Sequence, residues 1–268
     1  MLPKKALTEW RKKLDMFLSN FEYKDNLVGI LVCGSYVTGS PTSHSDLDVH
    51  LILSDAVRYR ERGNKIIDGL LIEYFANPPK QIRCYFDEDY RDKSLMAQTQ
   101  FATGVMLMDK TGDVAILKEK AETMIKDFYA QPIKTSINEL EKYGLWDMMD
   151  DLQDAYENQR ADFDFLYFNC LNRLIECYMK YVNRPYNVKT ILGNIADYAT
   201  RKKYMLQELP DSTIKDLIAE AIVAEEKTKK LDAYEKLTAA IINLFGGFSI
   251  DGFKFKSDVE YCENVMPQ

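Results

Sequence analysis

Residues 27–53 read LVGILVCGSYVTGSPTSHSDLDVHLIL. Two apolar runs, Leu27–Cys33 and Val49–Leu53, flank a polar loop that opens on Gly34-Ser35 and closes on Asp46-Leu47-Asp48. Short runs rich in Val, Ile and Leu that are bounded by turn residues predict buried strands. Side chains alternate along an extended chain, so Asp46 and Asp48 project to one side while Leu47 and Val49 point to the other. Two carboxylates displayed together can hold a hard divalent cation. A Gly-Ser turn nearby offers backbone N–H groups and a hydroxyl to a phosphate.

On either side of this stretch the first half of the chain alternates helix and strand. Ala6, Leu7, Trp10, Leu14, Phe17 and Leu18 recur at helical spacing over residues 6–21. Lys65–Ala76 carries Asp68-Gly69 between apolar pairs, a hairpin signal, and Asn77-Pro78-Pro79 ends it. Helices are expected over about residues 88–102 and 114–129, with Lys110-Thr111-Gly112 as the turn between them.

Beyond Gln131-Pro132 the pattern is helical almost throughout. Residues 136–157 and 161–182 carry long apolar stripes, the second through Phe163, Leu166, Cys170, Leu174, Cys177 and Tyr181. Asn183-Arg184-Pro185 stops that helix. Asn187 is placed to cap a helix through Ile191, Leu192, Ile195 and Ala199, Ser212 to cap another through Ile214, Leu217, Ile218 and Ile222, and Gly246-Gly247 to end a last one. The expected class is α+β: a small mixed sheet flanked by helices over 1–132, then an antiparallel helical bundle over 133–268.

Composition narrows the function. The chain has 268 residues, 46% of them apolar, which suffices for a proper core. No apolar run is long enough to span a bilayer, and MLPKKALTEWRKKL lacks the core of a signal peptide. Cys33, Cys84, Cys170, Cys177 and Cys262 are odd in number and lack metal-site spacing, so reduced thiols in a cytoplasmic protein are expected. Residues 1–134 hold 19 basic and 19 acidic side chains and residues 135–268 hold 16 and 23, so the net charge of −7 lies in the second half. No basic track suited to long nucleic acid is visible, and a small or cationic partner fits better.

A two-metal site, or a base for an attacking hydroxyl, needs a third carboxylate. Glu73 is the candidate, because a charge inside Leu70-Leu71-Ile72-Glu73-Tyr74-Phe75 is costly unless paired or bound to metal. Asp68 is the rival, although its place before Gly69 already explains it as a turn residue.

These residues resemble the G-S-x(10)-D-x-D signature of the polymerase-β-like nucleotidyltransferase superfamily, closely over residues 27–76. The two-part layout is similar to that of the streptomycin, kanamycin and lincosamide adenylyltransferases. The resemblance implies that Asp46 and Asp48 bind Mg²⁺, that Gly34 and Ser35 contact the phosphates of ATP or another nucleotide, and that Glu73 is the third carboxylate. It implies transfer of a nucleoside monophosphate, AMP from ATP, to a hydroxyl of a small molecule such as an aminoglycoside-like antibiotic, bound in a cleft between the domains. A protein acceptor, as in toxin–antitoxin pairs, and a non-catalytic nucleotide-binding module are the alternatives.

Lys189 is expected to meet the triphosphate from the first turn of a late helix; the competing reading is an exposed lysine. Asp147, Asp150, Asp151, Asp154 and Glu157 share one side of a predicted helix, where they either attract a cationic acceptor or form a solvated outer face. His50 shares the face of Asp46 and Asp48 but reads better as a neutral packed histidine, and His44 as an exposed loop residue. Neither is expected to bind a hard cation.

Overall fold

The computed structural model describes residues 4–258 apart from Ser40, Thr135 and Thr190, and leaves aside the side chains of residues 4–8 and 199. Cys262 therefore lies outside the described residues. The chain divides into two compact units, one of residues 1–132 with 183–209, the other of residues 133–182 with 210–268.

The first unit opens with helix α1 (Lys4–Ser19), followed by strand β1 (Leu27–Cys33), the one-turn helix α2 (Ser35–Thr38), β2 (Leu47–Leu53), β3 (Glu61–Ile67) and β4 (Leu70–Asn77). Helices α3 (Pro79–Arg91) and α4 (Met96–Thr103), strand β5 (Val105–Asp109) and helix α5 (Asp113–Ala130) follow. The sheet order is β3-β4-β2-β1-β5. Only the β2–β4 pair is parallel, so the sheet is mixed as expected. Asp68 and Gly69 both take positive φ, 45° and 79°, which suits a two-residue loop matched to the twist of β3 and β4.

The period of two along β1 and β2 sorts the core into two layers. Ile30, Val32, Leu47, Val49 and Leu51 pack with Trp10, Leu14 and Phe17 of α1. On the opposite face Leu31, Cys33 and Ile52 pack with Ile82 and Phe86 of α3, Phe101 of α4, and Val114 and Leu117 of α5. Asp48 and His50 alternate with Val49 and so belong to the α3–α5 face. The polar site thus lies on the α3–α5 face of the sheet.

Local details depart from the sequence reading. The hairpin begins earlier, at Glu61. The single helix expected over 88–102 is two, because Lys93 and Leu95 adopt left-handed conformations (φ 59° and 53°) and Leu95 is buried there. Tertiary packing thereby overrides helix propensity. Pro79 starts α3 at its first position, where a missing N–H costs nothing. Strand β5 was not anticipated: five residues at a sheet edge carry too little pattern.

After residue 182 the chain re-enters the first unit. Asn183 donates from Nδ2 to the carbonyl of Pro132 (2.9 Å) and accepts from Lys93 Nζ (2.7 Å), while the Arg184 guanidinium lies 5.4 Å from the Tyr129 ring. The helix expected after Asn187 is broken into α8 (Ile191–Ala196) and α9 (Tyr198–Lys203).

The second unit is a bundle of α6 (Glu139–Glu157), α7 (Phe163–Tyr181), α10 (Ser212–Val223) and α11 (Lys227–Leu244). Asp211, not Ser212, caps α10: its carboxylate accepts from the N–H groups of Thr213 (2.8 Å) and Ile214 (3.0 Å), so Ser212 becomes the first helical residue. Tyr167 ties α7 to α10 by donating its hydroxyl to the carbonyl of Ala221 (2.6 Å). Gln153 ties α6 to α11 by donating to Glu235 (2.7 Å). Asp147, Asp150, Asp151, Asp154 and Glu157 are all exposed along α6, away from the buried Leu145, Leu152 and Ala155. No helix among the described residues is long and apolar enough to cross a membrane. The four described cysteines are free.

Burial pushes the Tyr167 and Tyr129 hydroxyls up to about 12 from the usual 10.0, and burial with the Glu61 carboxylate does the same to Tyr74. A raised folded-state value stabilises the fold below pH 10, and that contribution is lost as pH rises through 12. An alkaline titration followed by ultraviolet absorbance and circular dichroism is expected to show two tyrosine classes. The later class ionises together with loss of structure between pH 10 and 12. A single class titrating near pH 10 with the fold intact would contradict these burials.

Candidate active site

Asp46 ends the loop before β2, Asp48 is the second residue of that strand, and Glu73 lies in β4. The parallel register sets Asp48 directly against Glu73, and the antiparallel register sets it against Cys33 on its other side. One oxygen from each of Asp46, Asp48 and Glu73 falls within 4.8 Å of the others, all three groups being half-buried. Asp68 stays in the exposed hairpin loop, where its carbonyl accepts from Lys13 Nζ (2.8 Å). Of the two acidic candidates for a third partner, the sheet brings in Glu73.

The cluster is electrostatically unfavourable by itself. Burial first, then the neighbouring Asp46 and Glu73 charges, push Asp48 from 3.8 up to about 7, against a lowering by Arg62. The Cys33 thiol is raised well above its ordinary value by burial, with Asp48, Asp46 and Glu73 adding to the effect. Three convergent carboxylates with only oxygen donors suit a hard divalent cation such as Mg²⁺.

Gly34 shows how closely the turn is fitted to these acids. Its φ of 76° and ψ of −159° lie in a region open essentially to glycine alone. A Cβ at this position would stand 2.1 Å from Asp48 Oδ2. Gly34 is therefore needed for the carboxylate to sit where it does. Gly34 also accepts from the N–H of Thr38 (3.1 Å) and the Thr38 hydroxyl (3.0 Å), which pins the turn that presents Ser35.

Arg62 was missed in the sequence. It donates to Glu73 Oε1 through Nη2 (2.6 Å) and Nε (3.2 Å), and its guanidinium lies 4.9 Å from the Phe75 ring. The signal was available. A two-residue loop at Asp68-Gly69 pairs Ile67 with Leu70 and hence Arg62 with Phe75 and Asn64 with Glu73, making Arg62 the diagonal neighbour of Glu73.

Gly34, Ser35, Asp46 and Asp48 line a pocket of about 360 Å³ within the first unit. Its remaining wall comes from α4 (Met96, Thr99, Gln100) and from the re-entrant segment (Tyr186, Asn187, Tyr204). Lys189 is not among the lining residues. It sits exposed in a turn ahead of α8, its N–H donating to Asn187 Oδ1 (2.9 Å), so it precedes the helix instead of occupying its first turn.

His50 is buried and neutral, its pKa lowered by burial to about 4 against a raising hydrogen bond with Gln100. His44 is exposed, as expected.

No protein-family model matches the chain, and no curated protein sequence matches it. Among solved structures, it is similar to a nucleotidyltransferase-like protein from Exiguobacterium sibiricum 255-15, at 11% identity over 90% of this chain and 77% of that one, with a TM-score of 0.40. A likeness at that level assigns this chain no activity, and the site rests on its own residues.

Proposed function

We propose that this chain is a metal-dependent nucleotidyltransferase that moves a nucleoside monophosphate, AMP from ATP, to a hydroxyl of a small molecule, releasing pyrophosphate. The observation that carries the proposal is the convergence of Asp46, Asp48 and Glu73 within 4.8 Å beside the Gly34-Ser35 turn. Mg²⁺ at Asp46 and Asp48 supplies charge neutralisation for the polyphosphate oxygens. Ser35 offers its hydroxyl, and the N–H groups of Ser35 and Tyr36, which precede those of Val37 and Thr38 bonded to the Gly34 carbonyl, are offered to phosphate. Lys189, two residues beyond the pocket-lining Asn187, adds a cation for the triphosphate. Glu73, held at Oε1 by Arg62, accepts the proton of the acceptor hydroxyl. A hydroxylated, amine-bearing acceptor of the aminoglycoside kind is the one that the resemblance of the two-part layout and the exposed acidic stripe of α6 favour.

The test is calorimetric binding of each common nucleoside triphosphate with and without Mg²⁺, followed by pyrophosphate release in the presence of candidate acceptors. Glu73→Gln is expected to leave nucleotide binding within a few-fold and to cut turnover by about 10²–10⁴. Failure of every triphosphate to bind in Mg²⁺ would remove the proposal. Near-normal turnover of Glu73→Gln would remove only the base.

A further inference from the structure

His50 takes part in none of the steps above, yet it lies on β2 two residues past Asp48 and on the same face. Its ring is buried, 5.2 Å from that of Phe75 and 4.7 Å from that of Phe101 between centroids. Nε2 is 3.1 Å from Gln100 Oε1, and among the described residues nothing meets the buried Nδ1.

A neutral imidazole carries one proton. On Nε2 it completes the bond to Gln100 and leaves only a lone pair at Nδ1. On Nδ1 it would strand a buried N–H, the rarer and costlier defect, and set two acceptors against each other at Nε2. This geometry favours the Nε2–H tautomer, gripping the amide oxygen of Gln100. The other end of that amide, Nε2 with its two N–H bonds, is thereby turned away from the histidine.

Gln100 lines the same pocket as Asp46, Asp48 and Gly34. Among the described residues those two aspartates are the only charged groups in its lining, and the rest are amide, hydroxyl, aromatic, thioether and aliphatic. The Gly34-Ser35 turn and the two aspartates form the phosphate end of this pocket, and the wall of Gln100, Asn187, Tyr186 and Tyr204 offers donors, acceptors and rings to a neutral nucleoside.

We propose that Gln100 is a nucleoside-binding donor and His50 its positioning residue: the histidine fixes the amide so that Gln100 Nε2 donates to an uncharged acceptor atom of the ribose or base. This rests on the nucleotidyltransferase reading and adds a residue pair to it. The pair joins β2, which carries the metal ligand, to α4, which walls the pocket. One hydrogen bond therefore aligns the nucleoside with the carboxylates.

The experiment is calorimetric binding of a non-hydrolysable ATP analogue with Mg²⁺ to the full chain. Gln100→Leu is expected to weaken binding about tenfold. His50→Phe, which keeps a packed ring but loses the N–H, is expected to match that loss, and the double variant to be no worse than either single one. Nitrogen NMR of the free protein is expected to show His50 protonated at Nε2 and bare at Nδ1, which packing alone does not require. Should His50→Phe fail to fold, Gln100→Leu and the NMR measurement decide. Repeating the titration with the 2′-deoxy analogue separates ribose from base: a Gln100→Leu deficit that disappears places the contact on the 2′-hydroxyl, and one that persists places it elsewhere on the nucleoside. Wild-type affinity in Gln100→Leu, or a His50 proton on Nδ1, overturns this inference while leaving Mg²⁺-dependent nucleotide binding intact. Absence of nucleotide binding by the wild type overturns both.

Discussion

Asp48→Asn is expected to abolish nucleotidyl transfer, by roughly 10³-fold or more, while making the metal-free protein more stable. Both effects have one cause. Asp48 is half-buried between Asp46 and Glu73, and its carboxyl is pushed up to about 7 by burial and by those two charges. At pH 8, above that value, the native state carries the ionised form against its environment, whereas the unfolded chain does not. The neutral amide removes that cost, so the thermal midpoint without metal should rise by roughly 2–6 °C. The same substitution removes a hard anionic ligand, and metal-assisted charge stabilisation is worth several kcal/mol. Thermal denaturation with and without Mg²⁺ provides the check. Wild type should gain stability on adding Mg²⁺ and Asp48→Asn should gain little. A variant that keeps wild-type turnover would show that Asp48 is not a ligand, and one that loses stability without metal would show that it is not strained by its neighbours.

Gly34→Ala is expected to be nearly as damaging to activity and, unlike Asp48→Asn, to lower stability. The added Cβ would stand 2.1 Å from Asp48 Oδ2, and the backbone there has φ 76° and ψ −159°. An L-residue in that region costs about 1–3 kcal/mol before any collision is counted. Either the turn or the carboxylate must move, and displacing a catalytic group by about 1 Å can cost about 10²-fold. The expected result is a drop of several degrees in thermal midpoint together with at least a hundredfold loss of Mg²⁺-dependent transfer. Gly69→Ala is the natural comparison. It also has positive φ, 79°, but nothing lies within 4 Å of its would-be Cβ, so it should lose stability without losing the site. Equal activity losses in the two variants would mean that backbone strain, and not the fit to Asp48, explains Gly34.

The clustered carboxylates were legible for local reasons. Leu27–Cys33 is a strand in the structure over the residues the apolar run marks, and the alternation through Asp46, Leu47 and Asp48 places both acids on one side. Glu73 could be chosen over Asp68 because a charge within an apolar strand demands a partner and a residue before glycine in a turn does not. Its actual neighbour Arg62 followed from hairpin arithmetic, but a hairpin drawn from residue 65 stops short of it. The aromatic and amide wall of the pocket was not readable. Gln100 is fifty residues from His50, and the left-handed Leu95 that divides α3 from α4 is held by burial instead of by any residue preference. The re-entry of residues 183–209 into the first unit was equally hidden: Asn183-Arg184-Pro185 announces the end of a helix, not where the next segment packs.

Local pattern was therefore enough to pick out the groups that cluster: a glycine-serine turn, two aspartates at strand spacing and a glutamate embedded in an apolar strand. Such features depend on backbone periodicity and local sterics, which act between near neighbours in the chain. The tertiary structure alone decided what those groups face. It set Glu73 beside Asp48 and Gln100 against His50, because strand order and helix packing are settled by burial of apolar surface across the whole unit, and that force is blind to sequence distance.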